Sequence, residues 1–249
     1  MRAIVVGATS GIGRCTADLM VKEGWTVGIT GRRTELLESF RNEHPDADIH
    51  ISSFDICADD SPERLLELID RTGGADLIFI VSGTGKQNRD LDPDIELNTV
   101  KVNVLGFVKM ADTAFSYFRS RTMADPAFRG HLAIVSSVAG TKGMGTAPAY
   151  SSTKKMQSSY MDSLAQLARM KGIPMDFTDI RPGFVRTDIL SKDKKYPMLM
   201  TVDYASALIF KALKRRRRQA VIDWRFSVLA FLWSLVPQCL WERMTGVKS

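Results

Sequence analysis

Along residues 1–213, short β-rich runs alternate with longer stretches in which apolar positions recur every three or four residues. The runs read as strands, the fully apolar Ala3–Val6 as one buried on both faces, and the longer stretches as helices. The pattern predicts strands at Ala3–Val6, Thr26–Thr30, Asp48–Phe54, Leu77–Val81, Leu132–Ser136 and Met175–Ile180. Between and after them it predicts helices at Arg14–Glu23, Thr34–Asn42, Pro62–Arg71, Leu97–Phe118, Ala149–Met170 and Ala205–Leu213, with Gly24 and Pro45 acting as stops. Strand–helix alternation of this kind requires right-handed crossovers, so the expected fold is α/β, a doubly wound parallel sheet in a single domain.

The length of 249 residues suits one such domain and leaves little room for a second. We place the domain at residues 1–213 and treat 214–249 as a basic, then hydrophobic, C-terminal extension. The net charge is +6, but the run Arg215–Arg218 supplies four of those charges, so no basic surface and no nucleic-acid partner is implied. Cys15, Cys57 and Cys239 are few and widely spaced, which points to a reducing compartment and a cytoplasmic location. The first residues do not read as a leader, because the apolar run Ala3–Val6 ends at Gly7. No metal site is assigned.

Chemistry enters at the turn after the first strand, Gly7-Ala8-Thr9-Ser10-Gly11-Ile12-Gly13. A helix N-terminus offers unpaired N–H groups and partial positive charge, and glycines let the backbone approach a pyrophosphate, so this loop is the expected dinucleotide cradle of a Rossmann-type sheet. The second strand ends in Thr30-Gly31-Arg32-Arg33. An acidic residue there would hold the 2′-hydroxyl of NAD, whereas an arginine can pair with the 2′-phosphate of NADP. NADP(H) is therefore expected over NAD(H), with Arg32 the first choice and Arg33 the second.

Tyr150 and Lys154 lie four residues apart and share a helix face. A tyrosine of pKa about 10 is a poor acid or base at neutral pH, and a neighbouring ammonium would lower that value. Ser136 and Ser137 end the fifth strand, on the side where open parallel sheets bind ligands, and a hydroxyl there can donate to a substrate oxygen.

Together these residues resemble the short-chain dehydrogenase/reductase family in its compact single-domain form. Its pieces occur in order: Gly7, Gly11 and Gly13; Asp55-Ile56; Asn103; Ser137; Tyr150 and Lys154; and Arg181-Pro182-Gly183-Phe184-Val185-Arg186-Thr187. The resemblance implies that Tyr150 is the acid/base, Ser137 holds the substrate oxygen, and Lys154 tunes Tyr150 and binds the nicotinamide ribose. Asn103 would hold a water in a proton relay toward Lys154. Asp55 and the Ile56 backbone would hold adenine, and Pro182, Gly183, Val185 and Thr187 the carboxamide. Two departures stand out: Val6 occupies the usual threonine position, and Val81-Ser82-Gly83-Thr84-Gly85 replaces the usual Asn-Asn-Ala-Gly. Ser82 and Gly83 are still expected to border the cofactor.

The stretch Asp188–Met200 would cover the substrate, and its end, Tyr196-Pro197-Met198-Leu199-Met200, suggests an apolar ligand or a loop that packs down. The uncharged run Phe226–Trp241 is 16 residues long, too short for a bilayer span of roughly 20. With Trp224, Trp233, Trp241 and the arginine run, residues 215–241 suit peripheral contact with the inner face of a membrane; a homo-oligomer interface or a cover for the substrate pocket are the competing readings. The leading functional expectation is an NADP(H)-dependent enzyme reducing the carbonyl of an apolar or lipid-like small molecule, or oxidising the alcohol. The alternatives are a nucleotide-binding sensor or scaffold with little turnover, and an epimerase, for which the chain lacks a longer substrate domain.

Overall fold

The computed structural model describes residues 1–187, 190 and 196–244. Its centre is a parallel sheet of seven strands in the order β3-β2-β1-β4-β5-β6-β7. The strands are β1 (Arg2–Val6), β2 (Thr26–Gly31), β3 (Ile49–Ser53), β4 (Leu77–Ile80), β5 (Gly130–Val135), β6 (Met175–Pro182) and β7 (Gln219–Ile222). Ala3–Val6 of β1, all of β4 and Leu132–Val135 of β5 are uninterrupted apolar runs because both sheet faces are covered. On one face α1 (Gly11–Lys22), α2 (Thr34–Asn42) and α7 (Val202–Lys214) pack Met20, Leu37, Phe40 and Ile209 against Val5, Ile29 and Ile180. On the other, α3 (Ser61–Arg71), α5 (Phe107–Ala124) and α6 (Pro148–Met170) pack Leu68, Phe118 and Met161 against Ile4, Ile78 and Leu132.

The strand order turns back between β1 and β4, and that switch point opens a crevice at the carboxyl ends of the strands. The six expected strands and their neighbours in sequence are in place.

Two elements depart from the sequence pattern. The expected long helix from Leu97 begins earlier, as α4 (Pro93–Val100), capped by Asp92 accepting from the Asp94 amide. It then widens into one π-helical turn, Lys101–Gly106, before α5. Such widened turns are favoured where a side chain must be re-aimed, and here the turn carries buried Asn103. The second departure is β7, which pairs with β6 from Asp179↔Gln219 to Pro182↔Ile222, within the stretch read from sequence as an extension.

Beyond β7, Asp223 caps α8 (Trp224–Leu235), and a short α9 (Gln238–Trp241) follows. Phe226 is fully buried, and its ring fills the space beside Gly183, where a Cβ would lie 2.3 Å away. The Trp241 indole donates to the Gly143 carbonyl at 2.7 Å, and Lys142 Nζ to the Val236 carbonyl at 2.8 Å. The helical tail is thus seated on the loop that leads into α6.

Candidate active site

The loop after β1 crosses the crevice mouth. The Gly7 and Ala8 amides both donate to the Thr30 carbonyl at 2.9 Å, which ties the loop to the end of β2. Gly7 has φ +99, a region that L side chains rarely adopt. A Cβ on Gly13 would lie 2.0 Å from the Gly7 carbonyl oxygen, so α1 can start this close to β1 only through glycine. Gly11, with Thr187 above it, completes a cradle of bare backbone at a helix N-terminus.

The cleft here has a volume of about 430 Å³. It is bordered by the loop residues Gly7, Thr9, Ser10, Gly11, Ile12 and Gly13, by Ser82 and Gly83 after β4, and by Pro182, Gly183, Val185 and Thr187 after β6. Asp55 and Ile56, just after β3, close one end: Asp55 Oδ1 accepts from the Cys57 amide at 2.9 Å, and Ile56 is buried.

The two arginines at the end of β2 behave differently. Arg33 Nη2 donates to Thr9 Oγ1 and Ser10 Oγ, each at 2.8 Å, so its guanidinium is held over the glycine loop. The Arg32 side chain is 73% exposed and approaches Asp55 at 3.9 Å. Both border the cleft.

At the opposite end of the cleft the structure brings Ser137, Tyr150 and Lys154 together. Ser137 follows β5; its Oγ accepts from the Ala139 amide at 3.1 Å and donates to the Pro182 carbonyl at 3.4 Å. Ser136 points elsewhere, with its hydroxyl donating to the buried Asp179 carboxylate, which also accepts from Arg181 Nε at 2.7 Å. Tyr150 sits in the first turn of α6. That turn is anchored by Glu96, whose Oε2 accepts from the Ala149 amide at 2.9 Å while Oε1 accepts from Asn88 Nδ2 at 2.9 Å. The backbone at Gly85 lies on the Tyr150 ring, with room for no side chain.

Lys154 Nζ donates to the Val135 carbonyl at 2.9 Å and to Gln157 Oε1 at 3.0 Å, and lies 5.8 Å from the Tyr150 ring centroid. Gln157 Nε2 in turn donates to the Asn103 carbonyl at 2.9 Å. The Asn103 side chain is engaged elsewhere: Oδ1 accepts from the Thr84 amide at 2.9 Å, and Nδ2 donates to the Thr84 carbonyl at 2.8 Å and to Thr153 Oγ1 at 3.1 Å. Asn103 therefore fixes the Ser82–Gly85 loop against α6, and the amide of Gln157 stands between its carbonyl and Lys154.

Burial sets the electrostatics. Desolvation raises the Tyr150 pKa above its ordinary value of 10.0, and the Ser137 hydrogen bond opposes this only in part. Desolvation of the ammonium lowers the Lys154 pKa to about 8, against a small opposing pull from Asp179. The sequence suggested that Lys154 would lower the Tyr150 pKa; enclosure of the phenol wins instead.

Sequence reasoning missed Gln157 and Glu96. For Gln157 a signal was present: it lies three residues after Lys154, on the same helix face. For Glu96, just ahead of the helix predicted from Leu97, there was none. Within the stretch proposed to cover the substrate, 188, 189 and 191–195 (Lys192, Lys194 and Lys195 among them) lie outside the described residues. Tyr196 stacks on Phe184 with ring centroids 5.0 Å apart, and Met198 packs on the core.

A doubly wound sheet with a glycine cradle at its switch point, and a Ser–Tyr–Lys group at the far end of the same cleft, defines a nucleotide-dependent oxidoreductase fold. Comparison with known proteins agrees. The sequence model of the short chain dehydrogenase family matches residues 1–197, and the chain belongs to that family. It is 28% identical to an uncharacterized oxidoreductase of Myxococcus xanthus, covering 96% of this chain and 94% of that protein. It is 28% identical also to the uncharacterized oxidoreductase Rv0945 of Mycobacterium tuberculosis, covering 95% of this chain and 94% of its relative. Among solved structures, an alcohol dehydrogenase from the archaeon Thermococcus sibiricus, complexed with 5-hydroxy-NADP, superposes with TM-score 0.76 at 18% identity, over 89% of this chain and 95% of that one. The protein is an NAD(P)-dependent enzyme of this family acting on a small molecule.

Proposed function

We propose that the enzyme reduces the carbonyl of an apolar small molecule at the expense of NADPH, with Tyr150 as the acid. The observation that carries this reading is the meeting of Ser137, Tyr150 and Lys154 at one end of the glycine-cradled cleft. The cradle fits a dinucleotide because it is bare backbone at a helix N-terminus, in a tight turn where side chains at Gly7 and Gly13 would collide with Ser82 and with the Gly7 carbonyl. When bound there, NADPH supplies the two electrons. The chain supplies the rest. Gly11–Gly13 and the start of α1 hold a pyrophosphate. Arg33, already fixed by Thr9 and Ser10, meets a 2′-phosphate, with Arg32 beside it. Ser137 turns its hydroxyl to the carbonyl oxygen, and Tyr150 gives that oxygen its proton. An ammonium has three N–H donors; two of Lys154's are used internally, which leaves one for a ribose hydroxyl. The phenol is protonated at neutral pH, as the proton donor of a reduction must be. The same proton donor at the reacting end speaks for turnover rather than a sensor or scaffold.

Replacing Arg33 with Ala is expected to weaken NADPH binding by roughly 10- to 100-fold, the value of a charge-assisted contact, and NADH binding far less. Fluorescence titration of the nicotinamide checks this, and an unchanged preference removes the 2′-phosphate assignment. The Lys154 ammonium is present below its folded pKa of about 8 and lost above it. Reductive kcat/KM should therefore decline as pH rises through that value; a level profile to pH 10 would speak against Lys154.

The tail supports the remaining proposals. With Phe226 against Gly183 and Trp241 on Gly143, α8 and α9 lie on the loops that follow β6 and β5, which supports an apolar substrate, so KM should fall along a series of lengthening aldehydes. The outward face of α8 leaves Trp224, Phe231 and Leu235 mostly exposed. No helix among the described residues is long and apolar enough to cross a membrane. Two of the four arginines before β7 are structural, Arg216 pairing with Asp176 and Arg218 with Asp162, while Arg215 and Arg217 stay exposed. The exposed apolar side chains of α8, with exposed Arg215 and Arg217 ahead of β7, support peripheral membrane contact. Flotation with anionic liposomes should be lost when Phe231 and Leu235 become Ser; equal flotation would remove it. Exposed Leu97 and Leu105 along α4–α5 support self-association, measurable by light scattering.

A further inference from the structure

Gln157, a buried polar side chain to which the mechanism gives no role, touches Lys154. Gln157 is 1% exposed, three residues beyond Lys154 on α6. A glutamine in such a place must find partners, and this one finds two that matter. Its carbonyl oxygen accepts from Lys154 Nζ at 3.0 Å, and its amide nitrogen donates to the backbone carbonyl of Asn103, in the π-helical turn, at 2.9 Å. An amide has a donor end and an acceptor end at fixed spacing, so one side chain joins both elements in a single orientation.

We propose that Gln157 is a positioning residue for the reaction: its side-chain amide ties the Lys154 ammonium to the Asn103 backbone and holds it beside Tyr150. It stands in the gap between Asn103 and Lys154, where the family resemblance led us to expect a water. A water rotates and exchanges; an amide on a packed helix does neither. The clamp also works in reverse, since the π-helical turn that carries Asn103, and through it the loop Ser82–Gly85, is pinned to α6. The inference deepens the proposed reading, in which Lys154 serves the acid and the cofactor.

The charged and titratable groups around Lys154 are few. Tyr150 faces it from the same helix and Asp179 acts on it from β6. The end of β5 offers the Val135 carbonyl, the loop after β4 offers the Gly83 backbone, and the π-helical turn offers Asn103. Gln157 is therefore the neutral acceptor that can be exchanged without altering another charge.

The test follows the titration of Lys154 directly, in the full-length protein labelled with 13C at lysine Cε and assigned by Lys154→Arg. Two variants push in opposite directions. Gln157→Leu removes an acceptor from the ammonium, so the Lys154 midpoint should fall by about half a unit or more. Gln157→Glu sets a carboxylate against it, so the midpoint should rise by about one unit or more. The Leu variant should also lose roughly 10-fold in kcat for NADPH-dependent reduction while its helical circular dichroism is kept. If Gln157 merely fills space, neither midpoint moves, or both move alike, and the proposal falls. The Glu variant keeps the shape of the side chain, so it decides the matter even if Leu unfolds the protein. The midpoints need no carbonyl substrate. Shifted midpoints without turnover in the wild type would therefore sink the proposed activity and keep the clamp, while turnover with unmoved midpoints would do the reverse.

Discussion

Tyr150→Phe is expected to lower reductive turnover by roughly 10²- to 10⁴-fold, the range of a positioned acid, while NADPH binding changes by less than about threefold. The reason is local. The phenol oxygen is the group at the reacting end with a proton to give and a buried setting that keeps that proton in place. The ring, by contrast, only packs, lying against the Gly85 backbone, and phenylalanine keeps that contact. The loss should thus appear in kcat with KM for cofactor nearly constant. Steady-state rates at 340 nm together with fluorescence titration separate the two. A variant that kept more than a tenth of wild-type kcat would remove Tyr150 as the acid.

The second large effect is expected at the cradle. Gly13→Ala places a Cβ 2.0 Å from the Gly7 carbonyl oxygen, inside any tolerable contact, and that oxygen is backbone rather than a movable side-chain tip. Either α1 shifts outward or the loop after β1 reshapes; in both cases the amides at the helix N-terminus leave their places. NADPH affinity should fall by of order 100-fold, and overpacking at this site should remove about 1–3 kcal/mol of stability. Titration and thermal unfolding in the absence of cofactor measure the two effects independently. Unchanged affinity would mean that the phosphates bind elsewhere.

Much of this site was legible in the sequence because its chemistry is local. The glycine loop, the Tyr150–Lys154 spacing and the serine at the end of β5 each lie within a few residues of a strand or helix end. The apolar runs Ala3–Val6, Leu77–Ile80 and Leu132–Val135 mark a sheet covered on both faces. The rest was hidden for physical reasons. β7 is four residues long, follows a run of arginines, and becomes recognisable only by pairing with β6. The π-helical turn around Asn103 leaves hydrophobic spacing nearly intact, so α4 and α5 read as one helix. The choice between Arg32 and Arg33 turns on which side chain Thr9 and Ser10 can reach. Gln157 reads as a surface residue until α6 is laid against the segment carrying Asn103. The direction of the Tyr150 shift depends on how completely the fold encloses the ring, which spacing along a helix does not express.

The central claim is that the group Ser137, Tyr150 and Lys154 reduces a carbonyl at the cofactor's expense. Its most direct measurement is NADPH consumption at 340 nm against a panel of aliphatic and aromatic aldehydes and ketones, with alcohol quantified in the same samples, for wild type and Tyr150→Phe in parallel. One alcohol should form per NADPH consumed by the wild type, with near-baseline consumption by the variant. Firm NADPH binding with no carbonyl reduced, or equal rates from the two proteins, would contradict it.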